Sequence, residues 1–293
     1  MKKNIKQACW IMNEMKIIAV GDFHGKFPKK LMDRIKKENA DLIVSAGDFA
    51  DTFDLRDLVF KHWNELGKED IDLEKIIGKK KYMFLLKNAI DSMEVPMRQL
   101  ELLKRPVVTV YGNCDFLDNE ANKLGMHGFE HMCKKARIFL LRRIVKRFND
   151  LQIAGFSGYR SATLKGIVKY NSCKKSEIKN VNKRWNNALK KLFGEIKYPE
   201  RTIFLAHDMP YGYFDKIKNK LSPLSGKHVG DKYILKYIKK HKPLIAIGGH
   251  MHEYQGKKKL GKTMMLNPGA AYDGKAAIIE IDNYKIKKIK FIK

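Results

Sequence analysis

Residues 15–48 read MKIIAVGDFHGKFPKKLMDRIKKENADLIVSAGD, and the order of apolar and polar positions in this stretch decides the fold class. Met15–Val20 is an apolar, β-rich run that closes on the glycine turn at Gly21. Pro28 suits the first turn of a helix, where its missing N–H costs nothing, and Leu31, Met32 and Ile35 then recur on one helical face. A second apolar run, Leu42–Ala46, ends in Gly47-Asp48. Strand, helix, strand in so short a stretch is a βαβ unit, and a βαβ unit implies a parallel sheet.

The same grammar continues outward. PVVTVYGN (106–113), RTIFLAH (201–207), PLIAIGGH (243–250), TMMLNPG (263–269) and KAAIIEID (275–282) read as further strands. Residues 138–156 read as a hairpin turning at Asn149-Asp150, its first arm alternating basic and apolar residues as a strand with one solvent face should. Residues 54–104 are helical in pattern, with a lysine-rich break at 78–81 and Pro96 opening another helix. In 172–194, Ile178, Val181, Trp185, Leu189 and Leu192 follow helical spacing, with Gly194 at the stop; 229–242 is another helix. No internal repeat or low-complexity linker interrupts the chain. The expectation is an N-terminal extension (1–14) followed by a single domain (15–293), carrying a helical insert around 54–104 and a basic insert around 134–200.

Composition narrows the class. Among 293 residues, 44% are hydrophobic and 31% charged, a globular rather than a disordered balance. No apolar run approaches the roughly 20 residues that span a bilayer, and Ala8–Met12 is too short for a signal peptide core. Cys9, Cys114, Cys133 and Cys173 show neither CxxC spacing nor disulfide density, so a reducing, cytoplasmic setting is expected. The net charge of +28 suits an anionic substrate or a nucleic acid, and residues 134–200 concentrate it, with 18 Lys/Arg against 4 Asp/Glu. A lysine-solvated surface is the plainer account. Trp185, on the apolar stripe, reads as core rather than as part of a nucleic-acid groove.

Several strands end alike, in glycine or alanine followed by a metal-competent side chain: Asp22 and His24, Asp48, Asn113, His207, and His250 and His252. In open α/β sheets, sites form beyond the carboxyl ends of the strands, where residues distant in sequence converge. Two carboxylates, four imidazoles and one amide exceed one tetrahedral zinc and suit two divalent ions sharing a bridging carboxylate. Mixed nitrogen and oxygen donors without thiolate favour Mn, Fe, Zn, Co or Ni over Mg or Ca.

In this order, Asp-x-His, Gly-Asp, Gly-Asn-x-Asp, His and Gly-His-x-His resemble the motif series of the calcineurin-like metallophosphoesterase superfamily, over Met15 to about Ile281. The resemblance implies an α/β fold of two β-sheets packed face to face with helices outside (αββα). It implies hydrolysis of phosphate esters with two divalent metals, Mn²⁺ first among them, by attack of a metal-bridging hydroxide. It implies one cation held by Asp22, His24, Asp48 and His252, and a second by Asp48, Asn113, His207 and His250.

One position departs from that series. Many members read Gly-Asn-His-Asp, the histidine protonating the leaving group beside the catalytic asparagine; this chain reads Gly112-Asn113-Cys114-Asp115. A thiol is a weak hydrogen-bond donor and a thiolate donates nothing. The sequence in this respect is similar to small prokaryotic phosphodiesterases, which favours diesters or activated esters. Asp115 then braces the loop. His127 and His131, at i and i+4, are candidates for a replacement acid, and Arg160, in the loop GFSGYRSATLKG (155–166), for a phosphate clamp. The competing readings are a nuclease using the basic 134–200 region and a scaffold that keeps the fold without turnover.

Overall fold

Met15–Val20 (β1) buries five of its six side chains and pairs on both edges, parallel to Leu42–Ser45 (β2) and antiparallel to Ala276–Asp282 (β11). A strand covered on both faces needs an apolar residue at nearly every position, which is why this run carries no polar–apolar alternation. The helix Lys29–Lys37 connects β1 to β2, with Pro28 at its N-cap and Leu31 and Ile35 buried. The structure, a computed structural model, describes residues 14–66, 71–159 and 175–293.

Among the described residues the strands form two six-stranded sheets. In the first, Lys285–Ile292 (β12), β11, β1, β2, Val107–Thr109 (β3) and Phe139–Leu140 (β4) lie in that order. In the second, Ile144–Phe148 (β5) pairs with Leu151–Phe156 (β6), followed by Thr202–Ala206 (β7), Ile245–Ile247 (β8), Thr263–Asn267 (β10) and Gly256–Leu260 (β9). Both sheets are mixed.

The two-residue period of the strands sorts their side chains into layers. Ile17, Leu42 and Val44 from the first sheet meet Ile153, Ile203 and Leu205 from the second in one buried cluster between the sheets. Ile18, Val20 and Ile43 point the other way, onto Leu31, Ile35 and Leu100 of the outer helices. Phe156, Phe204 and Ala246 likewise cover Trp185, Leu189 and Ile238 of the helices Lys175–Gly194 and Lys232–His241. The result is the helix–sheet–sheet–helix arrangement expected for an α/β sandwich.

Some local expectations change. The stretch 138–156 is not one hairpin: Phe139–Leu140 pairs parallel with β3, and the chain then crosses to the second sheet, where Phe148 and Leu151 flank the turn. Asn149 at that turn has φ 50°, which asparagine tolerates. Lys79, Lys80 and Lys81 do not break the helical segment but start the helix Lys79–Ser92; the break is Gly78, at φ 83°. Pro96 lies within the first turn of the helix Glu94–Leu102 rather than opening it. The stretch 134–200 supplies strands to both sheets and the helix Lys175–Gly194. Residues 1–13 lie outside the described residues.

Trp185 is core, edge-on to Phe156 with centroids 4.7 Å apart. Its indole N–H donates to Asp231 Oδ2 at 2.9 Å, while Asp231 Oδ1 accepts from the amides of Tyr233 (2.6 Å) and Ile234 (2.8 Å) and caps the helix Lys232–His241. One buried carboxylate thus serves two helices. Asp231→Ala is expected to lower stability by about 2–4 kcal/mol, combining a lost cap with a stranded indole N–H. Chemical denaturation measures this, and a loss under about 1 kcal/mol would show that the carboxylate is not the link.

Candidate metal centre

The exits of β1, β2, β3, β7 and β8 converge at one end of the sandwich. The β1 and β2 exits are laced together by backbone bonds: the amides of Asp22, Phe23 and Gly25 donate to the carbonyls of Gly47 (2.8 Å), Asp48 (2.7 Å) and Phe49 (2.7 Å). To turn their side chains inward, Asp22 (φ 54°), His24 (φ 44°), Asp48 (φ 58°) and His250 (φ 67°) adopt left-handed backbone. Each such conformation costs a non-glycine residue of order 1 kcal/mol or more and persists only where the surroundings enforce it. Gly112 and Gly249 make the approach possible, since a Cβ would fall 2.1 Å from Asp48 Oδ1 at the first and 2.6 Å from Asp22 Oδ2 at the second.

Asp22, His24, Asp48 and His252 bring one ligand atom each within 4.8 Å of one another, and so do Asp48, His207 and His250. Asp48 belongs to both groups. Asn113 Oδ1 joins the second, 2.9 Å from His207 Nε2 and 2.7 Å from His250 Nδ1. All seven residues singled out by the strand-exit pattern therefore meet. His24 Nδ1 donates to the Ala50 carbonyl at 3.1 Å and His207 Nδ1 to the Ala46 carbonyl at 2.8 Å, so each ring turns its Nε2 to the centre. This outer hydrogen bond is what commonly fixes a metal-binding imidazole.

The donor set fits divalent cations on three counts. The Nε2 atoms of His24 and His252 face each other at 2.9 Å. Asp22 Oδ2 is buried without a hydrogen-bond partner, although Oδ1 accepts from the His250 amide at 2.9 Å. Two carboxylates, four imidazoles and one amide oxygen also form the mixed hard and borderline donor set that such cations take.

Electrostatics at the cluster report the same crowding. Burial opposes ionisation of Asp48, but the adjacent His207 cation and its hydrogen bond outweigh it and hold the carboxyl well below the usual range. Burial likewise opposes a charge on His207, yet Asp48 and Asp22 push it up to about 10. His250 is held down to about 4 by burial and then by the His207 charge. Burial drives His252 well below its ordinary value, with His24 adding to the effect. Asp22 is pushed up to about 7 mainly by burial.

Asp115 accepts from three backbone amides, those of Asp48 (2.9 Å), Phe49 (2.6 Å) and Gly112 (2.8 Å), and so ties the β2 and β3 exits together. The Cys114 amide donates to Asp48 Oδ1 at 2.9 Å. The Cys114 thiol receives Thr52 Oγ1 at 3.0 Å and Asn113 Nδ2 at 3.1 Å, and burial pushes its pKa well above the ordinary value.

His127 and His131 are not brought to this cluster. Their rings stack at 3.8 Å and line a surface cavity of about 730 Å³ with Glu94, Arg98 and Met132, a lining that contains none of the seven residues. The reason is their position ahead of and within the helix Phe129–Lys135, which packs against Glu94–Leu102. Arg160 lies outside the described residues. Sequence reasoning missed Thr52, Phe53 and Tyr272, which border the centre. Phe53 stacks on His24 at 4.6 Å, and Tyr272 stands edge-on to His24 and His252 at 5.6 and 5.4 Å. The one available signal was that Phe53 follows Asp48 by five residues.

Comparisons with known proteins bear on the family and the fold. The family model described as metallophosphoesterase, calcineurin superfamily, matches residues 11–291. An uncharacterized protein of Methanocaldococcus jannaschii is 24% identical over 278 residues, spanning 92% of this chain and 97% of its own. A crystal structure from Thermus thermophilus superposes with TM-score 0.51 at 16% identity, covering 95% of this chain and 98% of the other. A structure described as a dimetal phosphatase from Danio rerio gives TM-score 0.50 at 11% identity, with coverage of 95% and 98%. At these identities the structural likeness concerns the fold.

Gly112→Ala should displace the Asp48 carboxylate and the His207 ring together. Divalent-cation affinity is expected to fall by about 10–100-fold, the range for disturbed support of metal ligands. Metal content after dialysis measures it, and full retention would show that these side chains do not hold the ion.

Proposed function

Because the chain belongs to the calcineurin superfamily of metallophosphoesterases, we propose that it hydrolyses phosphodiesters and activated phosphate esters at a centre of two divalent cations, manganese foremost. The observation that carries this reading is the sharing of Asp48 between two ligand groups whose other members do not overlap. In it, Asp22, His24, Asp48 and His252 hold one cation, and Asp48, Asn113, His207 and His250 the other. Manganese suits the mixed nitrogen and oxygen donors, which include no thiolate. When bound, the cations acidify a water for attack on phosphorus and neutralise the phosphoryl oxygens.

The chain's own residues do the rest. The carbonyls of Ala50 and Ala46 hold the His24 and His207 rings in the tautomer that presents Nε2. Asn113 contributes a neutral oxygen, so only Asp22 and Asp48 offset the cationic charge and the pocket attracts an anion. Asp115 keeps the Asp48 and Gly112 backbone in place from below. Cys114, half-buried and accepting two hydrogen bonds, is a poor proton donor for a departing alkoxide. Esters whose leaving group needs no proton are therefore the better substrates.

Among the described residues of the basic 134–200 stretch, three arginines already have partners within the chain. Arg142 pairs with Glu130 at 3.1 Å, Arg147 with Asp150 at 3.0 Å, and Arg143 lies over the Phe156 and Trp185 rings.

With Mn²⁺, bis(p-nitrophenyl) phosphate should be hydrolysed and Asp48→Ala should reduce the rate to background. Silence with every divalent cation tried would favour a scaffold without turnover. Cys114→His should raise the rate on alkyl monoesters by about 10²-fold, the lower end of general-acid assistance. An unchanged rate would show that proton donation does not limit these esters.

A further inference from the structure

The helix Phe53–Lys61 starts beside the centre and buries none of its residues, although it carries Phe53, Leu55, Leu58, Val59 and Phe60. Its first residue, Phe53, lies on the His24 ring at 4.6 Å with an interplanar angle of 27°. Tyr272 crosses Phe53 edge-on at 5.2 Å. It also touches His24 and His252 edge-on, and its backbone amide donates to the Asp22 carbonyl at 3.3 Å. Arg56 places its guanidinium 4.5 Å from the Phe53 ring centre. Phe53, Arg56 and Tyr272 are all only half-buried, and they stand on the side of His252, whose own side chain is 20% exposed. Two aromatic rings and a guanidinium plane thus stand together at the His252 edge of the centre.

Such a grouping has a specific chemical preference. Aromatic rings pack best against other flat π systems, in offset or edge-to-face contact. Arg guanidinium planes add a cation–π attraction to the same ligands. An alkyl chain gains only its buried area. Rings already held by His24 and by one another also lose little freedom when a ligand arrives, which is the advantage of preorganisation. From this we infer that Phe53 and Tyr272, supported by Arg56, form a subsite for a planar aromatic ring carried on the phosphate ester, either a nucleobase or a simple aryl group. The inference rests on the phosphoester reading for the position of the phosphate. It adds which substituent beside that phosphate is selected and by which residues.

The test compares three monophosphates on the Mn²⁺-loaded full chain by calorimetric titration: methyl phosphate, phenyl phosphate and thymidine 5′-monophosphate. At least one ring-bearing ligand should bind about tenfold or more tighter than methyl phosphate, as one base–aromatic stacking contact supplies. Phenyl phosphate alone shows an aryl site, and a gain confined to thymidine monophosphate shows a nucleobase site. Phe53→Leu and Tyr272→Leu should each collapse the ratio towards one, while Phe53→Tyr retains it. Equal affinities in the unsubstituted protein overturn the inference. So does an equal loss for all three ligands in both leucine variants, since that marks rings that only pack the His24 side. Turnover of the methyl, phenyl and thymidine p-nitrophenyl phosphodiesters runs in parallel. No hydrolysis with any cation but a persisting binding ratio would remove the phosphoesterase reading and leave the ring subsite standing. Hydrolysis with no preference would do the reverse.

Discussion

Three carboxylates, Asp22, Asp48 and Asp115, lie almost wholly out of solvent at one end of the sandwich, and everything around them answers to that. Burying an ionised carboxylate is costly unless hydrogen bonds or opposite charge compensate. The chain has 60 lysines and arginines, yet among the described residues none pairs with these three. Asp115 is satisfied by backbone amides alone. Asp22 and Asp48 have only imidazoles as ion-pair partners. Of these imidazoles only His207, pushed up to about 10, is a counter-charge near neutrality; all are good metal ligands. A cluster composed this way offers the kind of donor set that divalent cations take.

The backbone shows how firmly the cluster is enforced. Left-handed conformations at Asp22, His24, Asp48 and His250 run against the preference of every residue involved. They are held because the strands behind them are fully paired and buried, and because the exits bond to each other rather than to water. The Gly249 amide donates to the His207 carbonyl, and the Ala271 amide to that of Gly21. The inter-sheet core stabilises the fold, and part of that stability offsets strain at the site.

How much of this could be read from the sequence depended on whether a residue's neighbours were encoded locally. β1, β2 and β7 were legible because strands buried on both faces need unbroken apolar runs. The metal-competent residues were legible because each follows such a run through a small residue, so their convergence required only that the strands share an end. β9 and β12 were not recognised: GKKKL and KIKKIKFI are edge strands whose outward positions hold lysine, which reads as polar loop and which on an edge discourages further pairing. The crossing at Leu140–Ile144 was hidden because a chain passing from one sheet to another keeps its β-like pattern throughout. Phe53 and Tyr272 were invisible as site residues because an aromatic in a helix or a turn looks like core. Only tertiary contact with His24 distinguishes them. His127 and His131 erred in the other direction, since the turn ahead of the helix Phe129–Lys135 stacks their rings on each other and not at the centre.

The distribution of the seven residues between the sheets has a mechanical meaning. Asp22, His24, Asp48 and Asn113 hang from strands of the first sheet, and His207, His250 and His252 from strands of the second. Each proposed ion would thus draw ligands from both layers. Elsewhere the layers are held by apolar contact, which resists separation but opposes sliding only weakly. Ions at this end would act as rivets through the laminate, setting the phase of one sheet against the other. The cation that performs the chemistry would also set the alignment on which that chemistry depends, so occupancy and shape would rise and fall together.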